Sequence, residues 1–135
     1  ADGGTGTTAF PGDTVSGGAG TDTLTISVAG TSTVAQAINA ITTTGVEKLY
    51  ITNYDANTTD SEDTAVDTSL MTGLTTIGLT ASNATGDTSF TGVKSIVATE
   101  MRNGAGDFTV TYLTDAVKGT ADAATLTTQP HRPRL

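Results

Sequence analysis

The residues best suited to chemistry lie in a glycine-rich stretch near the start of the sequence. Residues 17–25 read Gly-Gly-Ala-Gly-Thr-Asp-Thr-Leu-Thr and match the pattern Gly-Gly-x-Gly-x-Asp-x-U-x, in which U is aliphatic, at every defined position. Glycines allow a tight turn with inward-pointing carbonyls, and Asp22 adds a carboxylate. Calcium prefers this mixture of oxygen ligands. The spacing therefore predicts a calcium-binding turn, with a Gly-Asp turn that binds nothing as the alternative.

Two imperfect copies of this pattern come before it. Asp13 and Val15 stand at the Asp and aliphatic positions nine residues earlier, but Ala9 and Phe10 replace the leading glycines. Residues 3–10 have the glycines, but a threonine stands where the carboxylate belongs. Asp13 is therefore the second carboxylate of the candidate site.

A further acidic cluster lies at residues 55–67, which contain five carboxylates and no basic residue. An EF-hand needs Gly at the sixth and Glu at the twelfth position of its loop, and these positions hold Asp60 and a valine. The segment is interpreted as a solvated loop, or else as a calcium or lattice-contact loop with Asp60 and Asp63 as weaker ligands. Residues 103–107, Asn-Gly-Ala-Gly-Asp, predict a β-turn in which Asp107 is another weak candidate.

The sequence offers no catalytic arrangement. His131 is the single histidine, it lies among prolines and arginines at the end of the sequence, and cysteine is absent. A Ser-His-Asp relay or a His-based zinc site would therefore have to use this terminal tail, which we do not expect. Carboxylates are numerous enough for a glycosidase pair, but none lies at a strand end beside the aromatic residues that line sugar clefts. We expect a protein that is not an enzyme.

The charge balance excludes several partners. Of 135 residues, 14 are acidic and 6 are basic, which gives a net charge of −8. So few basic side chains do not supply the phosphate contacts that hold nucleic acid, and anionic lipid headgroups repel an acidic surface. No apolar run reaches the roughly 20 residues of a transmembrane helix. Neither nucleic acid binding nor membrane insertion is expected.

The aliphatic residues follow the period of β-strands. The 23 Val, Ile and Leu residues form short runs, and the 32 threonines favour strands because their branched Cβ fits a pleated sheet. In residues 24–28 Leu, Ile and Val alternate with polar residues, which predicts a half-buried strand. Residues 108–112 and 124–128 predict further strands.

One segment has helical spacing instead. A residue that can cap a helix, Ser32 or Thr33, precedes it, and Gly45 stands near its end. Its apolar residues lie at i, i+3, i+4 and i+7, namely Val34, Ala37, Ile38 and Ile41. This pattern predicts one short α-helix over residues 33–43, with a role in packing. Residues 114–118 predict a single helical turn.

From residue 44 onward a nine-residue unit recurs with the rule Thr-Gly-U-x-x-U-x-U-Thr, in which U is aliphatic or Ala. Its copies are residues 44–52, 72–80 and 91–99. Each copy has a turn glycine and alternating aliphatic residues that face one core, and such a unit cannot bury its apolar side alone. Successive copies should therefore stack as strands of a parallel, solenoid-like sheet. Their unequal spacing predicts loops of unequal length.

These motifs resemble those of a known group of proteins. The nonapeptide at residues 17–25 resembles the RTX calcium-binding repeat of proteins exported by bacterial type I secretion. Residues 12–22, followed by residues 45–52 and the later Thr-Gly-Leu unit, are similar to the Caulobacter-type surface-layer proteins, which share the acidic, cysteine-free composition rich in Thr, Ala and Gly. The resemblance covers most of residues 12–99 and implies an extracellular, calcium-dependent structural module.

The resemblance also assigns roles to individual residues. By this resemblance Asp22 is the carboxylate ligand, and the neighbouring turn contributes Asp13. The candidate carbonyl donors are Gly17, Ala19 and Thr21. RTX sites form between successive turns, so one complete and one degenerate repeat hold one or two ions. A long β-roll is not implied.

Together these observations predict a mainly β fold, a parallel β-solenoid or β-roll of stacked strands with one short α-helix and a glycine-rich calcium-binding start. One domain is expected over residues 1–128, with RTX-like turns in residues 1–25 and stacked strands in residues 26–128, before a flexible tail at residues 129–135. The expected function is structural: calcium orders a secreted chain, which self-associates into a surface lattice or oligomer. Cell-surface polysaccharide is another candidate partner.

Two other interpretations stay open. The chain is alternatively a calcium-binding RTX module of a secreted adhesin or exported enzyme. The second alternative is a solenoid of the leucine-rich type, because U-x-x-U-x-U is also the core pattern of that class. Against this comparison, the buried Asn ladder is missing, since Asn53 and Asn83 fall at different offsets and the third copy has Met101.

Overall fold

The computed structural model of the protein describes residues 12–28, 36–55 and 64–129. These residues form eleven β-strands and one short 3-10 helix at Thr114–Val117. The strands are β1 (Thr14–Ser16), β2 (Thr23–Val28), β3 (Ala37–Ile38), β4 (Thr42–Thr44), β5 (Lys48–Asn53), β6 (Thr64–Asp67), β7 (Thr76–Thr80), β8 (Thr88–Val93), β9 (Ala98–Arg102), β10 (Phe108–Tyr112) and β11 (Leu126–Gln129).

The strands wind into three parallel sheets. One sheet has the order β2-β5-β7-β9-β11, the second has the order β3-β6-β8-β10, and the third pairs β1 with β4. Each strand lies beside the equivalent strand of the next circuit of the chain, here called a coil. The chain is therefore a parallel β-solenoid of about 4 turns, as the sequence predicts.

The coils differ in length although their strands stay in register. Thr23 pairs with Lys48, 25 residues further on, and Lys48 pairs with Thr76 after another 28 residues. The next coil is shorter, since Thr76 pairs with Ala98 after only 22 residues. The differences are taken up in the corners between sheets, which confirms the expected loops of unequal length.

The core consists of stacked aliphatic columns. Leu49 pairs with Ile77, and Ile51 with Leu79, in neighbouring strands. All four side chains are at most 1% exposed, and burying one such side chain stabilises the fold by about 1.5–3 kcal/mol. The second sheet closes the core from the other side with Val66, Phe90 and their neighbours.

The α-helix predicted over residues 33–43 is wrong. Within the described part of that segment, residues 36–43, Ala37–Ile38 form β3 and Thr42 begins β4. Ile38 and Ile41 are buried, but Ala37 is exposed, so the helical stripe does not form one face. The β-branched residues favour extended backbone, and parallel pairing with β1 and β6 satisfies their amide groups.

Two of the three predicted repeat copies stack as expected. Residues 44–52 and 72–80 lie side by side with their aliphatic positions aligned. The third copy, residues 91–99, is out of step, because Ile77 pairs with Thr99 and not with Ile96. A Cβ on Gly92 would lie 3.0 Å from the Cβ of Ser69, so the glycine of this copy lies in β8 and packs against the corner that follows β6.

The other elements agree with the sequence. Strands occur at β2 and β10, and the 3-10 helix lies within residues 114–118. The last predicted strand is present as β11, displaced by one or two residues. No helix among the described residues is both long and apolar enough to cross a bilayer. The degenerate glycine turn at residues 3–10 and the tail after Gln129 lie outside the described residues.

Candidate functional site

The predicted calcium-binding turn connects β1 to β2 and lies against the next coil. The Gly17 amide donates a 2.9 Å hydrogen bond to the Thr44 carbonyl. The amides of Glu47 and Lys48 both donate to the Asp22 carbonyl, at 3.1 Å each. The turn is therefore fixed at both ends by the corner that contains Gly45.

The glycines of this turn are required for two different reasons. A Cβ on Gly17 would lie 1.8 Å from the Gly45 carbonyl oxygen, so no side chain fits there. Gly18 and Gly20 have open space but adopt φ of +93° and +120°, which L side chains rarely adopt. The Gly-Gly-x-Gly pattern thus reflects close packing at one position and left-handed backbone at the other two.

Asp22 has one unsatisfied oxygen in this setting. Its amide donates a 2.8 Å hydrogen bond to Glu47 Oε2, which brings a second carboxylate to the turn. Its own Oδ2 is buried and has no hydrogen-bond partner in the described structure. Buried polar atoms normally have a partner, since leaving one without costs about 1–3 kcal/mol. Asp22 Oδ2 is therefore a buried carboxylate oxygen whose hydrogen-bonding capacity is unused among the described residues.

The structure brings some of the predicted ligands together and separates others. A Cβ on Gly17 would lie 2.7 Å from the Asp22 Cβ, so these two residues are in contact. Ala19 and Thr21 lie on the exposed part of the same turn. Asp13 precedes β1, where its carbonyl accepts a 2.9 Å hydrogen bond from the Thr42 amide. The strand β1 therefore lies between Asp13 and Asp22.

Of the three weaker candidate ligands, the structure describes Asp107 alone. Asp60 and Asp63 lie outside the described residues. Asp107 is exposed, and its amide donates a 2.8 Å hydrogen bond to Asp87 Oδ1 in the stacked corner above it. Across residues 12–28, 36–55 and 64–129, no three His, Cys, Asp or Glu side chains are arranged to hold a metal ion. A cation site within these ranges would depend on main-chain carbonyls.

Asp55, the first member of the acidic cluster, is not part of a solvated loop. It is 5% exposed, and Gln36 Nε2 lies 3.4 Å from its Oδ2. Its amide donates a 3.0 Å hydrogen bond to Asn53 Oδ1. Asp55 therefore belongs to the packed corner after β5.

Sequence reasoning missed a polar cluster on the outer surface of the largest sheet. The Tyr50 hydroxyl donates a 2.6 Å hydrogen bond to Glu100 Oε2. Arg102 forms a 2.5 Å ion pair with the same oxygen, and its guanidinium lies 4.6 Å from the centre of the Tyr50 ring. Burial, then the hydrogen bond to Glu100, raises the pKa of Tyr50 to about 12. The hydrogen bond from Tyr50 lowers the pKa of Glu100, with help from the charges of Arg102 and Lys48.

A signal for this cluster is present in the repeat. Tyr50 stands between two core aliphatics, and Gly78 stands at the same place in the next copy. Residues between core positions face outward in a strand, so the register places Tyr50 beside a glycine. Gly78 places no side chain between Tyr50 and Glu100, and Tyr50 is only 3% exposed.

A buried asparagine also organises the corner after β5. Asn53 is 1% exposed, and its Nδ2 donates hydrogen bonds to Thr64 Oγ1 at 3.1 Å and to the Asp87 carbonyl at 3.0 Å. The Asn83 amide donates to the Asn53 carbonyl at 2.9 Å, so the two asparagines occupy different positions in the corner. These two asparagines therefore do not stack as the Asn ladder of a leucine-rich solenoid would require.

Comparison with known proteins gives no relative. No protein-family model matches the chain, and no curated protein or solved structure is similar to it. The glycine-rich turn with Asp22 and Glu47 is therefore the candidate site on its own geometry. The turn belongs to the first coil, which contains β1 to β3, and is hydrogen-bonded to the second coil, which contains β4 to β6.

Proposed function

We propose that the chain is a structural, calcium-dependent module of a secreted bacterial surface layer or related cell-surface assembly. The observation that carries this proposal is the buried Oδ2 of Asp22, which has no hydrogen-bond partner among the described residues. It lies in a glycine-rich turn of the first coil that is hydrogen-bonded to the second coil, where an ion would link one coil to the next.

The donor set at this turn suits a hard cation. Asp22 would hold calcium with the main-chain carbonyls of Gly17, Ala19 and Thr21, and Glu47 brings a carboxylate from the second coil. The bound ion would supply positive charge to a chain of net charge −8. Because Glu47 joins the donors of the turn only when the two coils stack, calcium would favour the folded state by mass action.

The proposal therefore makes folding depend on location. A calcium-poor compartment leaves the acidic chain without its ion, and millimolar calcium outside the cell favours the solenoid. Sites with dissociation constants of about 10⁻⁴–10⁻³ M are sufficient for this purpose. The same ion-linked folding would serve an RTX module of an adhesin or exported enzyme, which would stay monomeric.

The test is a chelation and calcium titration followed by far-UV circular dichroism and thermal unfolding. Calcium at about ten to a hundred times the dissociation constant should stabilise the fold by about 1.4–2.7 kcal/mol. Asp22→Asn should abolish this gain, whereas Asp122→Asn, an exposed aspartate away from the turn, should keep it. Equal stability in chelator and calcium, or a full calcium response in Asp22→Asn, would contradict the proposal.

A further inference from the structure

A groove lies between two neighbouring corners in the middle of the solenoid. It has a volume of about 170 Å³, and its two walls are the corner that follows β6 and the corner that follows β8. Four apolar residues of its lining belong to the core or pack directly against it, namely Met71, Leu74, Val93 and Val97. The apolar core therefore forms one side of the groove.

The two walls of the groove differ in length. Asp67 pairs with Thr91, and Thr76 pairs with Ala98. Eight residues separate Asp67 from Thr76 along the chain, but only six separate their partners in the next coil. The two corners therefore cannot stack residue for residue. The flanking strands β6, β7, β8 and β9 are all paired on both sides, so the groove belongs to interior coils.

The polar part of the lining contains one charge. Lys94 is exposed and takes part in neither of the ion pairs that the described residues form with one another. No Asp or Glu lines the groove. The hydroxyls of Thr68 and Thr72 already donate to carbonyls of neighbouring coils, at 2.8 and 3.0 Å. Lys94 and Ser95 therefore carry the polar groups of the lining that remain available to a ligand.

We propose that this groove binds a small organic acid, with the apolar body of the acid against Met71, Leu74 and Val97 and its carboxylate beside Lys94. An apolar cavity of about 150 Å³ holds a benzene molecule, so the groove suits a body of about six carbon atoms. Small-molecule sites are mostly apolar and use a few polar groups to orient the ligand. The lysine ammonium is a compact positive charge that suits this purpose.

Lys94 makes the groove selective for an anion. The net charge of the chain is −8, so the acid binds through close contact with this lysine and not through long-range attraction. A neutral molecule with the same apolar body keeps the apolar contacts but loses the ion pair. An amine of the same shape meets a like charge. This inference goes beyond the proposed structural role, and the groove shares no residue with the turn at Asp22.

The test is a titration of the isotope-labelled full chain with benzoate, at neutral pH in millimolar calcium, followed by proton-nitrogen NMR correlation spectra. Benzoate should cause saturable shifts of the amides in residues 71–74 and 93–97, with a millimolar or tighter dissociation constant. Benzyl alcohol has the same ring and no charge. It should bind at the same place about tenfold more weakly, because it lacks the charge-assisted contact with Lys94.

Variants separate the charge from the apolar surface. Lys94→Gln should reduce benzoate binding to the level of benzyl alcohol, and Lys94→Glu should make benzylammonium the preferred probe. Lys118→Gln is the matched control, because Lys118 is an exposed lysine that pairs with Asp115 and does not line the groove. Ser95→Trp should block both probes by filling the groove, provided that its amide signals show a folded chain.

The Lys94 variants decide the outcome even if Ser95→Trp does not fold. Shifts that never saturate, or equal benzoate affinity in the native chain and in Lys94→Gln, would overturn the inference. An equal loss in Lys118→Gln would also contradict it, because the effect would then be one of net charge. A loss confined to the Lys94 variants, with benzyl alcohol binding retained, would support both the apolar and the charged part of the site.

Discussion

Tyr50 and Glu100 are hydrogen-bonded at 2.6 Å although strand β7 lies between their strands. The intervening residue is Gly78, which pairs with Tyr50 on one side and with Glu100 on the other and places no side chain between them. Arg102 is the third member of the cluster. Its guanidinium lies over the face of the Tyr50 ring and forms an ion pair with the Glu100 carboxylate. A side-chain contact thus connects two coils that share no backbone hydrogen bond.

The first prediction concerns Tyr50→Phe. The change removes the hydroxyl that donates to an ionised carboxylate, and we expect the free energy of unfolding to fall by about 2 kcal/mol. Tyr54→Phe is the control, because Tyr54 is 48% exposed and lies just after the same strand. Urea unfolding of both variants measures the difference, and equal stability of the two would contradict a role for the bond.

A second prediction follows from the pKa of Tyr50. The pKa of an unfolded tyrosine is 10.0, whereas that of folded Tyr50 is about 12, so between these values the native state holds the proton and the unfolded state does not. The free energy of unfolding should therefore fall as pH rises through this range.

Glu100, with its lowered pKa, affects the free energy of unfolding at acidic pH. Its contribution is present above the ordinary carboxyl pKa of 4.5 and is lost as pH falls through the lowered value.

The measurement is the pH dependence of urea unfolding in the native chain and in Tyr50→Phe. The variant should show a smaller loss of stability between pH 10 and 12. Curves of equal slope in this range would show that Tyr50 does not keep its proton in the fold.

A third prediction separates two kinds of glycine. A Cβ on Gly78 would lie 1.9 Å from the Glu100 carbonyl oxygen of the neighbouring strand, so Gly78→Ala should destabilise the fold by about 3 kcal/mol. Gly73 has φ of +86° but nothing near its Cβ position. Gly73→Ala should cost only about 1 kcal/mol from backbone strain. Chemical unfolding of both alanine variants compares them, and a smaller loss in Gly78→Ala would refute the crowding argument.

A fourth prediction concerns the buried polar residues of the core. Asn53→Ala leaves the Asp55 amide without its Asn53 Oδ1 acceptor, a bond of 3.0 Å. We expect the free energy of unfolding to fall by about 3 kcal/mol, because several buried groups lose their hydrogen bond to Asn53 together. Thermal unfolding and amide hydrogen exchange at the β5 corner test this. Unchanged protection of the Asp55 amide would be incompatible with it.

A fifth prediction has the opposite sign. Thr43 is 0% exposed, and its Oγ1 has no hydrogen-bond partner in the described structure. Thr43→Val keeps the branched shape and removes the unsatisfied hydroxyl, so it should stabilise the fold by about 1 kcal/mol. Thr44→Val, at an exposed position of the same strand, is the control and should change stability little. A destabilised Thr43→Val would indicate that the hydroxyl has a partner such as a buried water.

The sequence was sufficient where local chemistry determines structure. Alternating aliphatics predicted β2 and β5, and the shared unit predicted that Leu49 and Ile77 stack. The glycine pattern located the turn at Asp22, because tight packing and left-handed backbone both require glycine there. These features depend on residues within one segment of about nine positions.

The rest depends on register between coils, which no single segment specifies. The third repeat copy was misplaced because the coil after β7 is shorter than its predecessor, and Thr99, not Ile96, comes to lie beside Ile77. The helix was mispredicted because Ile38 and Ile41 bury their side chains from a strand and a corner. Glu47 was missed for the same reason, since its contact with Asp22 crosses from one coil to the next.

The order of the strands in each sheet is also their order along the chain. Once one coil has formed, the neighbouring coil meets a template whose pairing edge already exists. Folding can therefore advance from coil to coil, with stability added at each step. The bond from Tyr50 to Glu100 closes only when the β9 coil arrives. Once formed, this bond links the β5 and β9 coils and so holds the β7 coil in place between them.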